Sequence, residues 1–162
     1  YGYVYRIGDF KFKEGIFSLA RKAVKEGYDL IVVTNQAGIA RGYYTENDFL
    51  KLCDWMCNEF EKNESPISKV YFAPTHPTEG LGKYRKPDNR RKPNPGMILE
   101  AAIDFNLDLK SSILIGDKKT DISAGLAAGI GCNILLGDSC DVVSLGDTVR
   151  TVSSLGQVER YL

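Results

Sequence analysis

Ile113-Leu-Ile-Gly-Asp-Lys-Lys-Thr-Asp121 is the stretch on which the fold assignment turns. A short apolar run stops at Gly116-Asp117, and a second carboxylate, Asp121, follows four residues on. Such a run predicts a buried strand that delivers an acid to the edge of a parallel sheet, where ligands bind in open α/β folds. A carboxylate there suits a hard cation such as Mg2+, which takes oxygen ligands and bridges to phosphate. Asp117 is therefore the candidate metal ligand and Asp121 a candidate neighbour just outside the ion's own ligands. Lys118 and Lys119 stand where they can pair with a phosphate. The competing reading is an ordinary turn followed by a helix N-cap, for which Asp is a favoured residue.

Working outward, strands alternate with helices. Gly15 to Gly27 carries Ile16, Leu19, Ala20, Ala23 and Val24 at helical spacing and closes on a glycine. Leu30 to Val33 reads as a fully buried strand ending in Thr34-Asn35. Thr45 opens a helix with a capping-box pattern that runs toward Phe60. Lys69 to Ala73 is a further strand. Pro74 to Pro95 holds five of the six prolines and a dense basic cluster, which predicts a long ordered loop. Helices are expected over 96–105 and 121–128, and strands over 112–115 and 132–136. An edge strand over 148–152 and a short helix over 155–162 close the chain. The alternation predicts an α/β fold with a mainly parallel sheet.

The 162 residues, 43% of them hydrophobic, fit one domain over residues 1–162 with a real core. Lys and Arg number 21, Asp and Glu also 21, so no net charge draws the chain to nucleic acid or to an acidic membrane. No apolar run is long enough to span a bilayer. No secretory pattern is present, although the chain begins at Tyr1 without a methionine. Cys53, Cys57, Cys132 and Cys140 form no C-x-x-C pair, which fits reduced thiols in a cytoplasmic protein. A lone histidine, His76, builds no multi-histidine metal site. A P-loop kinase is disfavoured, because no G-x-x-x-x-G-K-[ST] occurs.

Two more constellations carry chemistry. Thr34-Asn35-Gln36-Ala37-Gly38 offers a hydroxyl, an amide and flexible N–H groups at a strand end, which suit a phosphate oxygen. An ordinary β-to-α turn reads the same way. Arg90-Arg91-Lys92-Pro93-Asn94-Pro95 sets three cations before a helix, with Pro95 fitting the first helical turn. Lys92 suits neutralising a phosphoryl group and Arg91 clamping one bidentately. A solvated basic loop is the bland alternative.

In combination, a hydroxyl at one strand end, a lysine opening a later helix and a carboxylate pair after the next strand resemble the haloacid dehalogenase-like phosphohydrolases. Thr34 matches their second motif, Lys92 their third, and Gly116-Asp117 with Asp121 their fourth. The runs Tyr1-Gly-Tyr-Val, Asp9-Phe-Lys-Phe, Thr34-Asn-Gln-Ala-Gly-Ile-Ala-Arg-Gly, Arg91-Lys-Pro-Asn-Pro-Gly-Met and Ile115-Gly-Asp-Lys resemble the branch that acts on heptose 1,7-bisphosphate. The resemblance implies a three-layer α/β sandwich around a mainly parallel Rossmann-like sheet, with a small loop-type cap shaped by residues 38–44 and 74–90. It implies Mg2+-dependent hydrolysis of a sugar-bisphosphate monoester through an aspartyl-phosphate, in the service of lipopolysaccharide precursors. It assigns Asp117 to Mg2+, with Asp121 nearby, and Thr34 and Lys92 to the reacting phosphate. Asn35, Arg41, Arg91 and Lys118 are its substrate contacts. A monomer acting on a small sugar phosphate, without nucleic acid or membrane, is expected.

The chain departs from the family pattern twice. The nucleophile motif, an apolar strand ending Asp-x-Asp-Gly, does not occur. Asp9 follows no strand and Asp29 precedes one, so that motif is expected before Tyr1, and residues 1–162 by themselves are expected to be inactive. A zinc loop found in many members of the branch would need ligands near Ala73, Thr75, Asp88 and Arg90. Only His76 stands in that region, so no structural zinc is expected, and the loop is expected either to be held by packing and hydrogen bonds or to stay mobile without substrate. Histidinol phosphate, a nucleic-acid 3′ phosphate, and a non-catalytic phosphate-binding role are the alternative readings.

Overall fold

In the first of two compact units, Tyr1–Asp88, the chain runs α1 (Ile16–Lys25), β1 (Leu30–Asn35), a short α2 (Ala37–Ala40), α3 (Glu46–Lys62) and β2 (Ile67–Ala73). The computed structural model describes residues 2–137 and 146–162; Tyr1 and Cys140, both named above, lie outside the described residues. β1 and β2 pair in parallel, with Thr34 opposite Phe72 and Asn35 opposite Ala73, and α1 packs on β1 while α3 packs on β2. The capping box at Thr45 forms as its sequence predicts. Asp48 N–H donates to Thr45 Oγ1 at 3.1 Å and Thr45 N–H donates to Asp48 Oδ2 at 2.9 Å.

Two apolar clusters hold this unit. Ile39, Tyr44, Phe49 and Cys53 form a buried core against Tyr3, Tyr5, Val70, Phe72 and Tyr84. Phe12 meets Phe17 at 4.8 Å and Trp55 at 5.4 Å, and Phe17 meets Phe60 at 5.0 Å, so ring contacts pin the segment before α1 to α1 and α3.

The loop that follows β2 is held by hydrogen bonds, one of the two outcomes that its sequence left open. Thr75 Oγ1 donates to Asp88 Oδ2 at 2.6 Å, Leu81 N–H to Ala40 O at 2.7 Å, and Tyr84 Oη to Glu46 Oε1 at 2.8 Å. His76 caps a turn here, accepting at Nδ1 from the Glu79 N–H at 2.9 Å.

The second unit, Asn89–Leu162, contains α4 (Gly96–Phe105), β3 (Ile113–Gly116), α5 (Lys119–Ala128), β4 (Cys132–Leu136), β5 (Val149–Val152) and a closing 3-10 turn, Leu155–Tyr161. Its sheet has the order β3-β4-β5, all parallel. Met97, Ile122, Ile134 and Val158 are almost wholly buried and form its core. Alternating strands and helices with parallel pairing throughout make the chain an α/β fold of Rossmann-like type.

Three details of the sequence reading need correction. β1 is half-buried along its whole length, not fully buried, and Ile115 in β3 is 41% exposed. Among the described residues β1 pairs only with β2 and β3 only with β4, which leaves each with one unpaired side and accounts for this exposure. The last expected helix is a 3-10 turn, and Pro95 occupies the N-cap of α4, not its first turn.

Burial in the first unit has a pH consequence. It pushes the Cys53 thiol from 9.0 up to about 12, with Cys57 and Asp54 adding like charge, and the Tyr44 phenol from 10.0 up to about 12. The folded chain holds both protons more tightly than the unfolded chain. Their contribution to stability is therefore complete below about pH 9 and is lost as pH rises through about 12. Melting temperature is expected to fall between pH 9 and 11, and Tyr44→Phe to flatten the upper part of that fall. An unchanged slope in the variant would contradict the assignment.

Candidate functional site

In the second unit, β3 ends at Gly116 and places Asp117 beyond its carboxyl end, exposed to solvent. Among the described residues no hydrogen bond or ion pair engages the Asp117 carboxylate. Asp121 behaves differently. It is 6% exposed, pairs with Lys92 Nζ at 2.6 Å through Oδ1, and accepts the Lys118 N–H at 3.0 Å through Oδ2. Asp121 therefore sits third in α5 as a capping acid and simultaneously anchors Lys92, 29 residues earlier.

Gly116 makes this packing feasible. A Cβ there would lie 2.3 Å from Asp121 Cβ and 2.6 Å from its Oδ2. The Gly-Asp pair thus has a steric reason: any side chain at position 116 would drive Asp121 away from Lys92. Gly96 has a similar reason, since its Cβ would meet Asn89 O at 2.4 Å, and its N–H donates to that oxygen at 2.9 Å. This contact fixes the entry of α4 just after Lys92. Lys92 itself is held with its side chain only 13% exposed, so its ammonium keeps much of its field. Arg90 pairs with Glu100 at 2.9 Å, and Arg91 is half-buried.

The donor set suits Mg2+ in part. An exposed carboxylate with both oxygens unengaged by the described residues is the hard ligand that the ion takes, and Mg2+ needs only one or two such groups beside water and phosphate. Asp121 is already committed to Lys92 and to the start of α5, so its place is that of an anchor for the lysine. Among the described residues no group of three or more His, Cys, Asp or Glu side chains gathers to hold a metal ion.

In the first unit, Thr34 and Asn35 end β1 at its carboxyl end, and the Gln36 N–H extends the ladder to Ala73 O at 2.8 Å. Gln36 Nε2 donates to Thr34 Oγ1 at 2.9 Å, and the Tyr44 hydroxyl donates to Gln36 Oε1. Thr34, Asn35, Gln36 and Tyr44 line a cavity of about 400 Å3 whose remaining wall is largely apolar. Arg41 donates to Tyr3 Oη at 2.7 Å and ion-pairs with Glu79. It thus joins α2's C-terminal end to the loop after β2.

The structure brings Lys92, Asp121 and the Lys118 backbone together in one unit, and Thr34, Asn35 and Gln36 together in the other. Asp117 and the Lys118 side chain stay exposed. Tyr3, Tyr44 and Glu79 entered the sequence reading only as members of the Tyr1-Gly-Tyr-Val run and of the 38–44 and 74–90 segments, with no sign of their partners; Gly38, where a Cβ would lie 2.2 Å from the Tyr44 ring, is what lets that ring approach.

The HAD-hydrolase-like family model matches residues 89–151. The chain is 56% identical over 137 residues to the D-glycero-alpha-D-manno-heptose-1,7-bisphosphate 7-phosphatase of Burkholderia mallei, covering 85% of this chain and 72% of that protein. It is 38% identical to the D-glycero-beta-D-manno-heptose-1,7-bisphosphate 7-phosphatase of Vibrio cholerae, covering 100% of this chain and 88% of that one. Among solved structures, D,D-heptose 1,7-bisphosphate phosphatase from B. bronchiseptica, complexed with magnesium and phosphate, superposes with a TM-score of 0.74. That match has 22% identity and covers 91% of this chain and 80% of the other.

Proposed function

This chain belongs to the haloacid dehalogenase-like hydrolases, in the branch of heptose bisphosphate phosphatases, and we propose that in its complete form it removes the 7-phosphate of D-glycero-alpha-D-manno-heptose 1,7-bisphosphate with Mg2+. The observation that carries the reading is the Lys92–Asp121 pair at 2.6 Å, packed beside Gly116 where β3 presents Asp117. A lysine fixed by a nearly buried carboxylate is an immobile cation, which suits neutralising the charge of a transferring phosphoryl group. The alpha configuration follows the 56% identical relative over the 38% identical one.

Each residue has a proposed task. Asp117 would hold Mg2+, which when bound shields the phosphoryl charge from an anionic nucleophile. Lys92 neutralises charge on the phosphoryl oxygens. Thr34 donates its hydroxyl to one of them. Asn35, Arg91 and Lys118 contact the substrate. Arg41 does so only through the loop that it joins to Glu79. The proposal includes an aspartate pair that residues 1–162 do not contain. One carboxylate oxygen of that pair bonds to phosphorus as the bond from phosphorus to the C7 oxygen breaks. The other aspartate gives the leaving alkoxide its proton, and water then releases phosphate.

The test is phosphate release by the complete protein from the alpha and beta anomers, histidinol phosphate and a 3′-phosphorylated oligonucleotide. The alpha anomer is expected to have the highest kcat/KM, by about tenfold or more over the beta, the discrimination available from one well-placed hydrogen bond. A preference for histidinol phosphate would overturn the substrate assignment.

A further inference from the structure

We infer that Gln36 and Tyr44 are positioning residues that fix the Thr34 hydroxyl as a hydrogen-bond donor toward a phosphoryl oxygen, an inference that rests on the proposed role of Thr34. The chain of donors has one direction. Tyr44 Oη donates to Gln36 Oε1, and Gln36 Nε2 donates to Thr34 Oγ1 at 2.9 Å. A threonine hydroxyl has one hydrogen and two lone pairs. With a lone pair occupied by Gln36, the acceptor that the described residues offer the hydrogen is Asn35 O at 3.4 Å, too long for a strong bond. A phosphoryl oxygen is the better acceptor, because a charge-assisted hydrogen bond is shorter and stronger.

The reversed amide would undo this. It would turn the Gln36 carbonyl toward Thr34 and take up the hydroxyl hydrogen. It would also leave the Tyr44 hydrogen without an acceptor, since Gln36 Oε1 is the partner recorded for that hydroxyl among the described residues and Tyr44 is 6% exposed. An unsatisfied buried donor is costly, so Tyr44 selects the productive orientation. Its phenol, pushed up to about 12, stays protonated through the neutral range.

Packing holds the ring in place. Tyr44 stacks on Tyr5 with centroids 4.9 Å apart, and Gly38 leaves the room in which its edge sits. The Gln36-Ala-Gly-Ile-Ala-Arg-Gly-Tyr-Tyr44 run is therefore one device: a turn that returns a phenol to the amide beginning it. Gln36 and Tyr44 need touch no substrate to act, because their effect passes through Thr34.

Coupled variants of the complete protein test this with Mg2+ and heptose 1,7-bisphosphate. Thr34→Val is expected to lower kcat/KM roughly a hundredfold and Tyr44→Phe about tenfold, the scale of losing a charge-assisted and a neutral hydrogen bond. Gln36→Glu, whose carboxylate only accepts, is expected to cost at least as much as Thr34→Val. Tyr44→Phe should cost less than about twofold in the Thr34→Val background, yet its full amount in the Thr34→Ser background, where a hydroxyl remains. A purely structural tyrosine would cost the same in both backgrounds, which would overturn the inference, as would an unimpaired Tyr44→Phe. An unimpaired Thr34→Val would instead remove Thr34 from the phosphate site, and the inference would fall with that reading.

Discussion

Asp117→Asn in the complete protein is expected to reduce Mg2+-dependent phosphate release by roughly a thousandfold or more, the several kcal/mol that a Lewis-acidic ion contributes to phosphoryl transfer. The substitution exchanges an anionic carboxylate, the proposed Mg2+ ligand, for a neutral amide of the same shape. The Asp117 carboxylate is exposed and has no hydrogen bond or ion pair among the described residues, so folding should survive unchanged. The Mg2+ concentration for half-maximal activity should rise steeply while the melting temperature holds. Unchanged activity would remove Asp117 from the site. A large loss of stability would show that the carboxylate has a structural partner instead.

Lys92→Met is the second large effect, and it should act on both activity and stability. Lys92 and Asp121 are 13% and 9% exposed at their side chains. Removing the cation leaves the Asp121 carboxylate with the Lys118 N–H as its recorded partner, and orphaning one member of a buried pair typically costs about 3 to 5 kcal/mol. Activity should fall roughly a thousandfold, since the fixed cation proposed to neutralise the phosphoryl group is lost. The two effects separate in a double variant. Lys92→Met with Asp121→Asn removes the orphaned charge, so denaturant stability should largely return while activity stays low. If activity returned with stability, Lys92 would be a structural residue only.

Much of this architecture was legible in the sequence, for reasons that are local. The helix from Gly96 to Phe105 and the strand from Cys132 to Leu136 have the bounds that their apolar patterns predict. The capping box at Thr45 is likewise a short-range signal, with donors and acceptors three residues apart. The exposure of β1 and β3 was not legible, because an apolar run specifies a strand but not how many neighbours pair with it. Pairings between distant residues were hidden for the same reason. Nothing near Lys92 names Asp121 as its partner, and nothing near Arg41 names Glu79, 38 residues away. Thr34, Lys92 and Asp117 stood out only as an ordered set, through the family pattern. Each motif alone reads equally well as a turn, a basic loop or a cap.

The steric facts convert parts of that pattern into physics. Gly116 lets Asp121 reach Lys92, and Gly38 lets Tyr44 reach Gln36. In both places a glycine clears the space through which one side chain orients another.

The central claim is most directly tested by following the complete protein, Mg2+ and heptose 1,7-bisphosphate by 31P NMR. Loss of the C7 phosphorus signal with the C1 signal retained, at a rate abolished by Asp117→Asn, is the predicted result. Loss of the C1 phosphate first, or a folded protein that binds the bisphosphate without releasing phosphate, would contradict the account.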